Sequence, residues 1–387
     1  MARHVVVGGG VFGVTGAISL AERGHEVTLV DPGPLPHPDA ASTDLSKIVR
    51  PDYGDDLLYT ELAERSIEGW LRWNTEFGED VFHQVGLAVL CRGPLDERDA
   101  ERTSYELLRS RGHRPSRLDE ARIAELFPEW TPGRYVDGYV SPRAGWVASG
   151  RAMRHLVERA RRSGVHVIEG TPAEPVPENT GPLGGVRLAD GRWLEADGVL
   201  LAAGAWTPTL HPRLSDRLWA TAQPVLLVSP DDPGRFQPPG FPVFAADIAL
   251  EGWYGFPATD EGVVKIANHG VGERVEPSVS RDLGPGSEER TREFLAEALP
   301  GLAGARTVGG RRCLYCDSFD GQFWLDRDPD HPDLVVAAGG SGHAFKFAPV
   351  LGEIVASVCE KGLPPELDRW RWREGGALVT DVLRAGN

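Results

Sequence analysis

Two cysteines three positions apart, Cys313 and Cys316, have a spacing that suggests metal or redox chemistry. A zinc site built on Cys-x-x-Cys needs two further ligands at similar spacing, and the sequence has no second pair of this kind. A thioredoxin-like redox pair is also disfavoured, because that motif starts a helix after an early strand. The chain has four cysteines in all, too few for a disulfide framework, so we expect a reducing, cytoplasmic location.

A glycine-rich turn near the N-terminus indicates nucleotide binding. Gly8, Gly10 and Gly13 satisfy the pattern G-x-G-x-x-G, and Asp31 follows at about the ~20-residue distance that the dinucleotide fingerprint requires. Gly8 permits a tight turn, Gly10 lets a pyrophosphate approach the backbone, and Gly13 lets a helix pack on a strand. The free N–H groups of the helix then face the phosphates, while Asp31 accepts a ribose hydroxyl.

Hydrophobic periodicity supplies the elements that this fingerprint needs. The pattern predicts a strand over residues 4–7, a helix over 11–23 and a second strand over 25–30, which together form a βαβ unit. A Pro-rich loop and a hairpin over 185–188 and 192–195 come later, and residues 333–362 again show the order strand, glycine turn, helix.

The length of 387 residues exceeds the usual size of one hydrophobic core, so two domains are expected. Residues 217–310 carry short strands separated by Pro- and Gly-rich turns and one helix over 289–299, which predicts a mostly antiparallel mixed sheet. The fold class is therefore α/β plus α+β, with a discontinuous Rossmann-like domain and a second, substrate domain. The predicted nucleotide-binding domain comprises 1–80, 145–216 and 311–387, and the substrate domain comprises 81–144 and 217–310.

Charge limits the partners of the chain. A formal net charge of −16 opposes binding to nucleic acid, whose recognition depends on Lys and Arg. No stretch reaches the ~18 to 20 apolar residues that a membrane span requires. We expect small-molecule partners, no nucleic acid and no membrane, and a monomer or a small homo-oligomer.

Four segments resemble the flavin-dependent amine oxidases of the sarcosine oxidase and N-methyltryptophan oxidase type, with fructosyl-amine and pipecolate oxidases as relatives. They are the glycine fingerprint, STDLSKIVRPDYG, WYGFP with KIANH, and RCLYC with FWLDRDPDHPDLVVAAGGSGHAFKF. The resemblance implies FAD as cofactor, with binding residues at Gly8, Gly10, Val11, Phe12, Gly13, Asp31, Ser42, Cys313, Gly340, Gly342, His343 and Lys346.

The same resemblance implies that Cys313 carries FAD through a thioether to the isoalloxazine 8α carbon. This bond requires a thiolate, which Arg311 and Arg312 would favour if their side chains face the sulfur. Cys316 stands where the small bacterial oxidases commonly have Thr, and we interpret it as a pocket-lining side chain.

Lys265 lies in an alternating segment, so the pattern alone is also compatible with a solvent-facing lysine. The resemblance instead implies a lysine beside the flavin that activates oxygen, because a fixed cation stabilises superoxide. His269 matches an active-site histidine of the family, with a polar edge histidine as the alternative. Tyr254 and Tyr315 match pocket tyrosines of the family, and Lys47 stands where the sarcosine-type enzymes often have Arg.

Arg50 and Lys346 match family positions that bind a substrate carboxylate, for which an Arg fork and a Lys point charge are suited. A salt bridge of Arg50 with Asp52 or Asp44 is the alternative. We expect Lys346 to begin the final helix, whose dipole would face the flavin.

Taken together, the residues predict an FAD-dependent oxidase of a carboxylate-bearing secondary or cyclic amine. The amine gives a hydride to FAD N5, an imine leaves, and oxygen is reduced to hydrogen peroxide. Two alternatives remain: a flavin dehydrogenase or cyclic imino-acid desaturase on the same fold, and a nucleotide-binding redox sensor that uses Cys313 and Cys316. We expect no metal.

Overall fold

Two large β-sheets organise the fold. The computed structural model describes residues 1–177 and 179–376. The strands, in chain order, are β1 (Arg3–Val7), β2 (Glu26–Val30), β3 (Lys47–Val49), β4 (Phe82–His83), β5 (Leu87–Cys91), β6 (Ser116–Asp119), β7 (Asp137–Ser141), β8 (Gly145–Val147), β9 (His166–Ile168), β10 (Gly185–Arg187), β11 (Trp193–Glu195), β12 (Gly198–Leu201), β13 (Leu218–Ser229), β14 (Val243–Ala246), β15 (Trp253–Phe256), β16 (Val264–Asn268), β17 (Glu273–Val275), β18 (Arg306–Ser318), β19 (Trp324–Arg327) and β20 (Leu334–Ala338).

Helices flank these sheets. They are α1 (Val11–Glu22), α2 (Leu57–Phe77), α3 (Asp99–Ser110), α4 (Glu120–Leu126), α5 (Ser149–Arg162), α6 (Thr207–Leu210), α7 (Ser287–Ala298), α8 (Pro300–Ala303) and α9 (Ala348–Lys361). No helix in the described ranges is both long enough and apolar enough to cross a bilayer.

The first sheet confirms the predicted nucleotide-binding unit. Its strand order is β19-β20-β12-β1-β2-β9, and β1 pairs in parallel with both β2 and β12. Helix α1 connects β1 to β2, as the periodicity predicted, and ends one residue earlier than expected. This strand–turn–helix order places the fingerprint at the carboxyl end of β1, where parallel sheets bind ligands.

Helix α1 is buried along nearly its whole length because glycines let its neighbours approach. A Cβ atom at Gly13 would lie 1.9 Å from the carbonyl oxygen of Gly8, and one at Gly16 would lie 2.7 Å from Val355 Cγ1 of α9. Both contacts are shorter than any real Cβ contact, so the sequence must have glycine there for the helix to pack.

The second sheet confirms the predicted mixed, mostly antiparallel layer. Its order is β17-β13-β16-β15-β14-β5-β7-β6, with β18 paired along β13. Strands β14 and β5 are parallel, and the other pairings given for this sheet are antiparallel. The predicted hairpin forms a separate sheet of β10 and β11, and β3, β8 and β4 form a third small sheet.

Strand β18 runs across the predicted domain boundary at residue 311. Its residues 306–318 all belong to the second sheet, whereas β19 and β20 return to the first sheet. Cys313 and Cys316 therefore lie on the second sheet. The predicted division into domains stays a prediction, and its last residues, 377–387, lie outside the described residues.

Candidate active site

A cavity of about 400 Å³ lies at the carboxyl end of β1. It brings together the fingerprint, the end of β2 and the glycine turn after β20. Its lining includes the predicted cofactor residues Gly8, Gly10, Val11, Phe12, Asp31, Ser42, Gly340 and Gly342, and also His37, Lys47, Trp206, Tyr315 and Cys316.

The fingerprint has the geometry that a dinucleotide needs. Gly8 has φ of 105° and donates from N to the Val30 oxygen at 2.8 Å, so the turn lies tight against β2. The Asp31 carboxylate accepts from the Gly9 N–H at 2.7 Å, and Ser42 Oγ accepts from the Val11 N–H at 2.9 Å. Burial raises the pKa of Asp31, although the N–H groups of Gly9 and Gly33 oppose this shift.

These features fit FAD. The helix N-terminus offers N–H groups to a pyrophosphate, and the acid at the end of β2 stands where a ribose hydroxyl would bind. On the far wall Gly342, with φ of 76°, lies under the Tyr315 ring, where a Cβ would meet Tyr315 Cε2 at 2.4 Å. The turn after β20 therefore requires glycine at this position to approach Tyr315.

A second, smaller cavity of about 80 Å³ adjoins the first. Lys47, Tyr315, Gly342 and Phe345 line both cavities. A ligand bound beside these four residues would therefore be in contact with both cavities. All seven predicted catalytic and substrate-binding residues line the smaller cavity, together with His343, which was predicted to bind the cofactor: Lys47, Arg50, Tyr254, Lys265, His269, Tyr315 and Lys346.

A buried carboxylate holds the two lysines of this cavity together. Asp44 Oδ2 accepts from Lys265 Nζ at 2.6 Å and from Lys47 Nζ at 2.9 Å. Burial disfavours ionised Asp44, but the charges of Lys265, Lys47 and Arg311 outweigh it, and the pKa of Asp44 lies well below its usual range. Two cations and one anion thus leave a net positive charge at this wall.

Lys265 lies on β16 and is only 1% exposed, so the alternative of a solvent-facing lysine is wrong. Its ammonium also donates to the Ser46 carbonyl at 2.6 Å and lies 4.9 Å from the centroid of the Phe256 ring. Burial lowers the pKa of Lys265 to about 8, although Asp44 opposes the shift. The pKa of Lys47 shifts in the opposite direction. Burial would lower this pKa too, but Asp44 and neighbouring groups raise it above the usual value.

The two cysteines of β18 face opposite sides of the strand, as the period of two requires. Cys313 Sγ accepts from Lys47 Nζ at 3.8 Å, and the guanidinium of Arg311, two positions earlier, lies near enough to interact electrostatically with the sulfur while it donates to the Pro38 and Ala40 carbonyls. Arg312 points the other way, toward the Asp282 carbonyl and Glu273. Cys316 lines the larger cavity, and burial raises the pKa of its thiol to about 12. The interpretation of Cys316 as a lining side chain is confirmed.

Arg50 does not form either of the salt bridges considered for it. Asp44 is engaged by the two lysines, and Asp52 accepts from Tyr139 Oη at 2.9 Å and Ser141 Oγ at 3.1 Å. Within the described ranges Arg50 Nη1 is buried and has no hydrogen-bond partner. A buried donor without a partner is unfavourable, so this atom favours an anion in the small cavity.

Lys346 lies in the short 3-10 turn Ala344–Phe347 rather than at the start of α9, so the expected position at the helix N-terminus is wrong. Pro349 stands in the first turn of α9, where its missing N–H would have no intrahelical partner, so the helix begins at Ala348. The Lys346 ammonium is buried and donates to Tyr53 Oη at 2.7 Å and to the His343 carbonyl at 3.1 Å.

Two tyrosines and a histidine complete the small cavity. Tyr254 Oη and Tyr315 Oη lie 3.5 Å apart, and the ring centroids of His269 and Tyr315 lie 6.3 Å apart. Burial raises the pKa of Tyr254 well above its usual value, and Tyr315 adds to the shift. The Tyr254 phenol therefore acts as a neutral hydrogen-bonding group at neutral pH.

Sequence reasoning missed two residues of this site. Asp44 was considered only as a partner of Arg50, although its spacing of three positions from Lys47 suggests an ion pair. Tyr53, at the end of the segment that carries Arg50, had no signal of its own. No group of His, Cys, Asp or Glu within residues 1–177 and 179–376 is arranged to hold a metal ion.

Comparison with known proteins places these features in a family. The family model described as FAD dependent oxidoreductase (DAO) matches residues 3–358. Monomeric sarcosine oxidase from Bacillus sp. (strain B-0618) is 28% identical over 363 residues, covering 92% of each chain. L-saccharopine oxidase from Schizosaccharomyces pombe is 29% identical and covers 96% of this chain and 93% of its own.

The solved structures agree. Fructosyl peptide oxidase from E. terrenum superposes with a TM-score of 0.84 at 25% identity, covering 97% of this chain and 93% of its own. N-methyl-L-tryptophan oxidase from Salmonella heidelberg (strain SL476) is a further sequence relative, 28% identical over 94% of this chain and 96% of its own.

We predict that Asp44→Asn destabilises the protein by about 3–5 kcal/mol, because it leaves two buried ammonium groups without their anion. The double variant Asp44→Asn, Lys265→Met should recover part of this loss, since Met removes one unpaired charge. Urea unfolding at pH 7 followed by circular dichroism measures both.

Asp190→Asn is the matched control, because Asp190 pairs with Arg192 at the surface and its loss should change stability by no more than ~0.5 kcal/mol. An Asp44→Asn protein as stable as this control would show that the two lysines do not depend on Asp44.

Proposed function

The chain belongs to the family of FAD-dependent oxidoreductases, and on that premise we propose that it oxidises a carboxylate-bearing secondary or cyclic amine with oxygen as electron acceptor. The observation that carries this proposal is a pair of cations, Arg50 with its buried Nη1 and the buried Lys346, in a small cavity that adjoins the nucleotide cavity. When bound, FAD supplies the oxidation: it accepts the hydride and passes the electrons to oxygen, so that an imine and hydrogen peroxide form.

The carboxylate of the substrate binds to Arg50 and Lys346. Arg50 Nη1 lacks a partner among the described residues, and a carboxylate supplies the missing acceptor. The relatives support this choice, because sarcosine, N-methyl-L-tryptophan and L-saccharopine, after which three of them are named, are all secondary amines that carry a carboxylate.

The size of the cavity favours a compact substrate. About 80 Å³ corresponds to roughly six water positions at ~10–15 Å³ each, which suits a small amino or imino acid. Tyr254, Phe256 and Ile248 supply aromatic and apolar walls that keep water away from the amine and favour its neutral form. Tyr315 and His269 line the same cavity and supply polar groups that would orient the amine by hydrogen bonds.

Lys265 supplies a fixed positive charge where oxygen is reduced. Its ammonium is already desolvated and held by Asp44 and Ser46, so it needs no reorganisation as negative charge develops. Lys47, paired with the same carboxylate, adds a second positive charge at this wall. This charge favours the oxidase over the dehydrogenase and desaturase alternatives.

Cys313 is the proposed point of covalent attachment of FAD. Lys47 donates to its sulfur and the Arg311 guanidinium lies nearby. Burial raises the pKa of the Cys316 thiol to about 12. Cys316 nonetheless lines the larger cavity and Cys313 does not, so the two thiols must be distinguished by experiment.

We predict that Arg50→Ala weakens binding of pyrrole-2-carboxylate about 10- to 100-fold, the loss expected for roughly 1.5–3 kcal/mol of charged hydrogen bonding. Perturbation of the flavin absorbance during titration of the holoenzyme measures the dissociation constant. Arg192→Ala, at the surface, is the control and should bind as the unchanged protein does. Unchanged binding in Arg50→Ala, or equal turnover of amines without a carboxylate, would contradict the proposed substrate class.

For the covalent link, Cys313→Ala should purify with FAD that acid precipitation releases, while Cys316→Ala should keep the cofactor in the precipitate. Mass spectrometry of tryptic peptides locates the adduct. A flavin adduct on the peptide at Cys316 would overturn the assignment.

For oxygen, Lys265→Met should slow reoxidation of the reduced enzyme by on the order of 10²-fold or more while flavin reduction by substrate changes less. In the unchanged enzyme the reoxidation rate should fall as pH rises through about 8, because Lys265 then loses its proton. Stopped-flow measurement separates the two half-reactions, and equal losses in both would remove Lys265 from the oxygen step.

A further inference from the structure

Tyr53 touches both cations of the carboxylate site. The guanidinium carbon of Arg50 lies 4.9 Å from the centroid of the Tyr53 ring, and the ammonium nitrogen of Lys346 lies 5.0 Å from it. Arg50 and Lys346 are 296 positions apart in sequence, on segments that meet only at this site. One aromatic side chain thus contacts both groups that the substrate carboxylate would bind.

The hydroxyl of Tyr53 has a defined orientation. His343 Nε2 faces the Gly321 carbonyl at 3.3 Å, which assigns its proton to Nε2 and leaves Nδ1 as an acceptor. Tyr53 Oη, 3.0 Å from Nδ1, then donates to it and uses a lone pair to accept from Lys346 Nζ at 2.7 Å. The hydroxyl therefore fixes the ammonium by a directional bond to a charged donor.

The ring of Tyr53 has little freedom to move. It is buried and stacks on Tyr59 with centroids 5.2 Å apart and an interplanar angle of 23°. Phe347 packs against it as well, at 5.8 Å. Tyr59 in turn accepts a hydrogen bond from Trp370 Nε1 at 3.0 Å, so the C-terminal segment supports the stack.

A cation held against an aromatic face loses part of its solvation without being neutralised, because the ring quadrupole attracts it but carries no charge. A carboxylate in place of Tyr53 would neutralise Arg50 and Lys346 and compete with an anionic substrate. A tyrosine orients both cations and leaves their charge available.

From this arrangement we infer that Tyr53 is a positioning residue of the carboxylate site, which sets the separation of Arg50 and Lys346 and so determines the affinity for an anionic amine. The inference rests on the proposed function, since it assigns a role within the same site.

The test compares Tyr53→Phe and Tyr53→Leu in the holoenzyme by calorimetric titration with pyrrole-2-carboxylate. Tyr53→Phe keeps the ring and removes the bond to Lys346, so the dissociation constant should rise about 10-fold. Tyr53→Leu also removes the face that both cations contact and should raise it about 100-fold. KM for a carboxylated amine should rise in parallel, while kcat at saturation changes less than about threefold, because the reacting carbon is not touched.

Tyr59→Phe is the matched control, because it removes a hydroxyl from the adjacent stacked ring whose partner is Trp370 rather than a cation. It should bind the ligand as the unchanged protein does. The neutral pyrrole-2-carboxamide supplies the second control, and its weak binding should be the same in all variants.

The outcomes separate the inference from its premise. If Arg50→Ala weakens binding and both Tyr53 variants do not, Tyr53 has no positioning role. If Arg50→Ala binds normally, the carboxylate site itself is wrong. If Tyr53→Phe weakens binding of the carboxylate and of the carboxamide equally, the substitution causes a general structural defect and the inference is overturned. If Tyr53→Leu does not fold, the result for Tyr53→Phe alone decides the test.

Discussion

The carboxylate of Asp44, held between Lys47 and Lys265, is the interaction on which the rest of the site depends. Asp44 comes from the segment that leaves the first sheet after β2, whereas Lys265 comes from β16 of the second sheet. Because all three groups are buried, the pairing is stable only when the two sheets are correctly placed against one another. The same segment carries Ser42, Arg50 and Tyr53. The ion cluster at Asp44 therefore fixes the position of Ser42, which contacts the start of α1, and that of the proposed carboxylate site at Arg50 and Tyr53.

The two sheets divide the chemical work. The first sheet contributes backbone groups. The N–H groups at the start of α1 are placed to bind phosphate, and the close-packed glycines beside them let it approach without the help of many side chains. The second provides charge: Lys265 on β16, Arg311 and Cys313 on β18, and the tyrosines Tyr254 and Tyr315. Side chains on adjacent antiparallel strands project to one face with fixed spacing, so a sheet holds such groups more rigidly than a loop would.

Much of the first sheet could be predicted because its signals are local. The G-x-G-x-x-G turn and the helix α1 follow from spacing within about thirty residues, and the structure confirms both. The burial of Lys265 could not be derived from its own segment, since an alternating strand pattern does not show whether the lysine points to the buried or to the solvent face of the sheet. Its partner Asp44 lies 221 positions away, and a pairing over such a distance leaves no mark on local periodicity. Tyr53 was missed for the same reason. The predicted domain boundary at residue 311 falls inside β18, because no local pattern marks the point after residue 318 at which the chain passes from the second sheet to the first.

The order of strands in the first sheet has a consequence for biosynthesis. Strand β1 lies between β2, which follows it directly, and β12, whose other neighbour β20 comes much later in the sequence. The walls of the larger cavity accordingly come from residues 8–12 and from residues 338–345. A growing chain on the ribosome can pair β1 with β2 early, but it cannot enclose a nucleotide until residues 338–345 have emerged. Until then the crevice at the carboxyl end of β1 lacks one of its walls.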